Sequence, residues 1–300
     1  MIIKLSNIEG MIFGAAIGDS MGVPLSGYST EADIVDKLGE YPIISFKTPF
    51  PFSKFGFMTP GSWSYSFQIL LSTFTTIIEF GNMTADSIEI LFTKFLENII
   101  TGKVNDKHRG NEILYQQLFL KYMMTGKDNM LKEKFNYSGS DYNSNTPLFL
   151  MAPAMFLQNN YIASLWVRQK NLLCLTHCSS VAQLYLIYFL KHLIMTKDIK
   201  CAIENFYQFL KKWESIKSCS SFKLLFDVMT IICETKTFKE AIIRSINDYP
   251  AIANEIGCLT GLISGLINGS KNIPNDWLNG VENIGLLKSV SSNLYNLMRN

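Results

Sequence analysis

Charge is scarce in this 300-residue chain: 17% of it is Asp, Glu, Lys or Arg, against roughly 25% in an ordinary soluble domain. The 27 basic and 25 acidic residues leave a formal charge of +2, too little to recruit nucleic acid or an anionic membrane, so neither is expected as a partner. No apolar run is long enough to cross a bilayer. The longest, Val181 to Met195, is interrupted by Lys191 and His192. The opening residues Met1 to Asn7 lack the basic-then-apolar layout of a secretory leader. Six cysteines (Cys174, Cys178, Cys201, Cys219, Cys233, Cys258) show no disulfide framework and read as buried free thiols in a reducing compartment. A cytoplasmic location is expected. Also missing are a Walker phosphate loop, a glycine signature following a strand, an internal repeat and a Pro/Gly/Ser linker. A single domain over residues 1–300 is the economical expectation.

Hydrophobic residues, by contrast, make up 48% of the chain, enough to bury most helices on more than one side. Their spacing is helical almost throughout, with no alternation that would mark a strand. Thr84 and Asp86 cap and charge the start of one helix, Ile88, Leu91, Phe92, Phe95, Leu96 and Ile99 share its face, and Gly102 closes it. Similar spacing recurs over 64–80, 109–124, 179–195, 200–213, 219–234 and 250–268, while 40–60 is Pro- and Phe-rich and expected to be irregular. The polar stretch 127–145 reads as a surface loop. An all-α fold of roughly a dozen helices follows.

Several short motifs stand out. Gly10, Gly14, Gly18 and Gly22 recur every four residues and place a smooth stripe along one helix, which lets another helix approach closely. Gly18-Asp19-Ser20-Met21-Gly22-Val23-Pro24 ends that stripe. Pro60-Gly61-Ser62-Trp63-Ser64-Tyr65-Ser66-Phe67-Gln68 opens the next long apolar segment. Asn145-Thr146-Pro147 through Pro153, the pair Thr176-His177, and a second stripe of Gly261, Gly265 and Gly269 before Ile273-Pro274 and Trp277 complete the set.

In this order the five motifs resemble the signature segments of the ADP-ribosylglycohydrolases, over about residues 8–280. The resemblance implies a compact orthogonal bundle of helices. It also implies an activity, removal of ADP-ribose from modified side chains, carried by a magnesium pair. Mg²⁺ prefers anionic oxygen ligands, and two such ions close together need several carboxylates. Placed residue by residue, the family's glutamate after Gly-x-Pro becomes Ser26. Its Thr-Asp-Asp becomes Ser64, Tyr65 and Ser66, and the two aspartates of Asp-Thr-Asp-Thr become Ile252 and Asn254, with Glu255 at the final threonine. No aligned ligand is a carboxylate. The expectation is loss of the metal pair, with Ile252 and Tyr65 filling its space with apolar and aromatic bulk, and no cofactor.

Of the remaining acidic residues near the motifs, Glu255 reads as a first-turn helix charge and Asp19 as a group that hydrogen-bonds a neighbouring turn. Asp19, Asn145 and His177 are the positions where residual ADP-ribose binding is conceivable. Against that reading, Ser144 and Thr146 stand in place of the family's glycines, and Leu150 in place of its arginine. Cys174, His177 and Cys178 share helical spacing but lack a fourth ligand for zinc. The cluster Lys103, Asp106, Lys107, His108 and Arg109 is mixed in sign and reads as a solvated turn.

The functional expectation is a pseudoenzyme that binds a protein, in its most specific form an immunity protein that occludes an ADP-ribosylating toxin. Two alternatives are an active hydrolase using Asp19 and Glu255, and a sensor that binds ADP-ribose without cleaving it.

Overall fold

The computed structural model describes residues 3–80, 145–158, 162, 177–196, 198–212 and 219–299. Among them are eleven α-helices and no strand. In chain order they are α1 Leu5–Gly22, α2 Glu31–Leu38, α3 Tyr65–Phe80, α4 Thr146–Met151, α5 His177–Thr196, α6 Ile199–Lys212, α7 Ser220–Glu234, α8 Phe238–Asp248, α9 Ala253–Asn268, α10 Asn275–Gly280 and α11 Ile284–Leu297. The helices expected over 88–99 and 109–124, the charged cluster 103–109 and Cys174 lie outside the described residues, as does the surface loop expected over 127–145 except for Asn145, which is buried rather than exposed.

The fold is organised around α1 and α9. They run antiparallel with their backbones in contact, because the two glycine stripes face each other. A methyl group on Gly10 would collide with the backbone of Gly265, one on Gly14 with Gly261, one on Gly18 with Gly257, and one on Gly22 with Ala253. Side chains on both helices point outward into other neighbours, so each is buried nearly all round. From Asn7 to Gly22 only Glu9 is more than marginally exposed. A buried side-chain bond pins the far end, with Asn7 Nδ2 donating to the Leu266 carbonyl at 2.9 Å.

Contrary to the expectation that no apolar run is long enough, the stretch Pro250–Asn268 has the length and composition to cross a membrane, but 72% of its most apolar window is buried inside the protein. Burial of this kind is what a central core helix requires.

Outer helices obey the ordinary amphipathic rule. In α8, Phe238, Ala241, Ile242, Ser245 and Ile246 form the buried face, while Thr237 caps its start by accepting from Glu240 N at 3.1 Å. The end of α8 anchors the irregular segment before α3. Asn247 accepts from Ile43 N at 2.8 Å and donates back to Ile43 O at 2.9 Å, as a neighbouring strand would. Residues 40–64 contain turns and no regular element, as the composition predicts. The C-terminal motif is structural: Trp277 is buried and meets Phe238 edge-on at 6.2 Å.

One sequence reading is corrected. Cys258 is a buried free thiol as expected, but the free thiols of Cys201 and Cys233 are half-buried and exposed, and Cys219 is disulfide-bonded. Spacing along the chain does not reveal a pairing formed by helix packing.

Candidate functional site

Because α1 and α9 are antiparallel, the C-terminal end of one meets the N-terminal end of the other. Ser26 follows the end of α1, Asn254 and Glu255 begin α9, and the start of α3 lies alongside. Gly61 holds the approach to α3. Its φ of +81° belongs to the left-handed region, and a Cβ there would collide with the Gly280 carbonyl. Its carbonyl accepts from Ser20 Oγ at 3.1 Å and from Glu282 N at 3.0 Å.

Four of the positions read as former metal ligands converge here, bonded to one another. Asn254 is the hub. Its Oδ1 accepts from Ser26 Oγ at 2.6 Å, and its Nδ2 reaches Ser64 Oγ at 3.0 Å and Ser66 Oγ at 3.3 Å. Asn254 N donates to Ser26 Oγ at 3.1 Å. Asp19, fully buried, joins from α1: its carboxylate accepts from Ser64 N at 2.5 Å and from Ser64 Oγ at 2.7 Å. An anion at the start of α3 is stabilised by the unpaired N–H groups of that helix end. Ser64, Ser66 and Asn254 are all buried.

Tyr65 and Ile252 do not enter this cluster. Ile252 lies half-buried in the short 3-10 turn before α9. Tyr65 turns to Glu255, donating its hydroxyl to Oε1 at 2.6 Å, while Asn145 Nδ2 donates to Oε2 at 2.7 Å. Glu255 is indeed in the first turn of α9, but it is more than a helix charge: it ties α3 and α4 together. Asn145 is positioned to cap α4 yet makes no cap bond, since its side chain is committed to Glu255. Lys54 Nζ stands over the Tyr65 ring at 4.6 Å. The Leu150 side chain, at the family's arginine position, is packed in the core. His177 opens α5, whereas Thr176 lies outside the described residues.

Beneath both clusters lies Cys258. Burial, and then the charges of Asp19 and Glu255, push its thiol well above the ordinary range, which makes it inert as a nucleophile at neutral pH. Among the described residues no group of three His, Cys, Asp or Glu side chains could hold a metal ion. The Asn145–Glu255–Tyr65 chain escaped the sequence reading, since nothing in the local pattern links residues 110 and 190 positions apart.

The likeness to known proteins spans the chain. A solved structure described as "ADP-ribosylglycohydrolase-related protein complex" superposes with a TM-score of 0.71 at 14% identity, covering 98% of each chain, and so shares the fold. Among curated proteins none matches. The ADP-ribosylglycohydrolase family model matches residues 2–300. With its helices, glycine stripes and motif order in agreement, the chain belongs to the ADP-ribosylglycohydrolase family.

Proposed function

We propose that this chain is a catalytically inactive ADP-ribosylglycohydrolase-fold protein that works by binding a protein partner. Its most specific form is an immunity protein that occludes an ADP-ribosylating toxin. The observation that carries inactivity is the Ser26–Asn254–Ser64–Ser66 cluster. The family's metal pair would need anionic oxygens at the positions of Ser26, Ser66 and Asn254, and the donors present do not fit it. They are neutral, and they spend their hydrogen-bonding capacity on one another at 2.6 to 3.3 Å. The nearby carboxylate, Asp19, uses both oxygens on Ser64.

A partner-binding role is supported by what the substitutions leave standing. The helices that carry the substituted positions remain packed through backbone contact between α1 and α9. A solved structure that shares this fold is described as a complex. Incubation with an ADP-ribosylated peptide and Mg²⁺ tests the first half, with no release of ADP-ribose expected; turnover by the pure protein would overturn it. Gel filtration with a candidate ADP-ribosyltransferase tests the second. A stable complex that silences the transferase is expected, and the absence of any such complex across the transferases its cells encounter would refute the immunity role.

A further inference from the structure

We infer that the loop 50–58 of one copy docks in a groove beside Pro42 and α8 of a second copy, so that the chain pairs as a two-fold dimer. The inference goes beyond the function proposed above and does not depend on it. Phe52, at the tip of the loop, is 92% exposed. A ring so placed contributes little to the folded monomer, yet the loop that presents it is tightly held. Ser53 N donates to Phe50 O at 2.9 Å, Gly56 N to Ser53 O at 3.0 Å and Met58 N to Phe55 O at 2.9 Å. Phe55 is buried and anchors the loop to the core, and a Cβ on Gly56 would collide with the Pro51 carbonyl. Phe50 meets Phe52 edge-on at 5.7 Å. An aromatic side chain held out by a preorganised loop has little entropy left to lose on binding, as an interface anchor requires.

The chain also carries a receptor for such an anchor. Tyr41, Pro42 and Ile243 give apolar walls to an open groove of about 500 Å³ along α8. That volume lies in the range of sites that take ligands larger than a phenyl ring. The charges match too. Lys54 is exposed and forms no ion pair among the described residues, and neither does Glu240, exposed on the groove's rim. The rim's other acid, Asp248, is engaged by Arg244 at 3.2 Å. Val35 and Ile44, exposed in the same stretch of chain, add apolar area.

Loop and groove are neighbours on the surface. Lys37 Nζ lies over the Phe50 ring at 5.1 Å and Lys47 Nζ binds Glu40 at 2.8 Å, so the loop rests against the C-terminal end of α2. Tyr41 and Pro42 follow that end directly. A two-fold axis between the two features lets each copy fill the other's groove, which closes the pair and leaves no open end. An anionic membrane suits this face less, because α2 brings Glu31, Asp33 and Asp36 to it.

Sedimentation equilibrium of the whole chain over a wide concentration range tests the pairing. A reversible monomer–dimer equilibrium is expected, weakened at least about tenfold by Phe52→Ser, a change too exposed to disturb the core. Lys54→Glu and Glu240→Lys should each weaken it, since like charges then meet at both contacts. Mixing these two variants should restore the dimer, because each copy again meets the opposite charge. Lys239→Ala, which removes a cation from the rim, should tighten it. Melting curves establish that Glu240→Lys, which gives up the bond from Lys236 N at 2.9 Å, is folded; if it is not, Phe52→Ser decides. A dimer indifferent to Phe52→Ser, or folded charge variants that fail to rescue each other, would overturn the inference. So would a chain that stays monomeric at high concentration, whether Phe52 then proves to be needed for binding phosphatidylserine vesicles or a candidate ADP-ribosyltransferase.

Discussion

Returning one carboxylate to the neutral cluster should be costly, and the structure says how costly. In Asn254→Asp the new carboxylate keeps the bond from Ser26 Oγ but loses its donation to Ser64 Oγ, which already gives its proton to Asp19. Ser64 Oγ lies 2.7 Å from Asp19 Oδ1 and 3.0 Å from Asn254 Nδ2, so the two anions would stand no more than about 6 Å apart. At an effective dielectric of about 20 their repulsion is about 3 kcal/mol, and burial of the new charge adds to it. A drop in melting temperature of about 5–10 °C at neutral pH is expected.

The pH dependence has a definite sign. Repulsion and burial raise the introduced carboxyl's folded-state pKa above its unfolded value, so the penalty is full above the folded value and disappears below the unfolded one. Magnesium should not rescue the single variant. Ser26→Glu, Ser66→Asp and Asn254→Asp together should be less stable still without metal, yet gain stability on addition of Mg²⁺. Melting followed by circular dichroism, at neutral and acidic pH with and without Mg²⁺, reads all of this. The reasoning is refuted if Asn254→Asp melts with the parent at neutral pH, or if Mg²⁺ alone raises the melting temperature of the parent by several degrees.

Further outcomes follow from the same structure. Gly18→Ala should destabilise by about 2 kcal/mol net in urea unfolding, because backbone meets backbone there and the helix-propensity gain of about 1 kcal/mol offsets only part of the strain. Gly285→Ala, where a methyl group meets nothing within 4 Å, should be neutral or slightly stabilising in the same assay. Asn247→Ala leaves the buried Ile43 N–H and C=O without partners, so a loss of about 2 kcal/mol and faster proteolysis between residues 40 and 60 are expected. Burial raises the Asp227 carboxyl above its usual range, against weaker opposing effects of Lys223 and Tyr249, so it is a net liability when ionised. Asp227→Asn should therefore stabilise at neutral pH, and the advantage should fade on acidification as the parent carboxyl takes up its proton. EDTA should leave the parent's melting curve unchanged.

Legibility differed by feature. The glycine stripes could be read because a four-residue period is a local property of one helix, and so could α5, α6, α7 and α9, whose apolar residues repeat with the helical turn. Helix α2, with Ile34 as its one buried residue, and the short α10 were not anticipated, since so little of either faces the core. Helix α8 has no such excuse: Phe238, Ala241, Ile242 and Ile246 form a plain apolar stripe, so its pattern was legible and went unread. At the site, the substitutions at Ser26, Ser64, Ser66 and Asn254 were visible one by one. Their mutual hydrogen bonds were not, because Ser26 and Asn254 are 228 residues apart.

By itself, the sequence determined the helical class, the two smooth faces able to pack together, and the chemical identity of each group at the old ligand positions. These are properties of single residues and of periods within one turn or two. Only the tertiary structure decided that α1 and α9 run antiparallel with their ends aligned. That arrangement brings Asn254 against three serines and leaves Glu255 between Tyr65 and Asn145. Hydrogen-bond partners are chosen by distances of about 3 Å in space, and separations of this order between remote segments are fixed only when the backbones have packed.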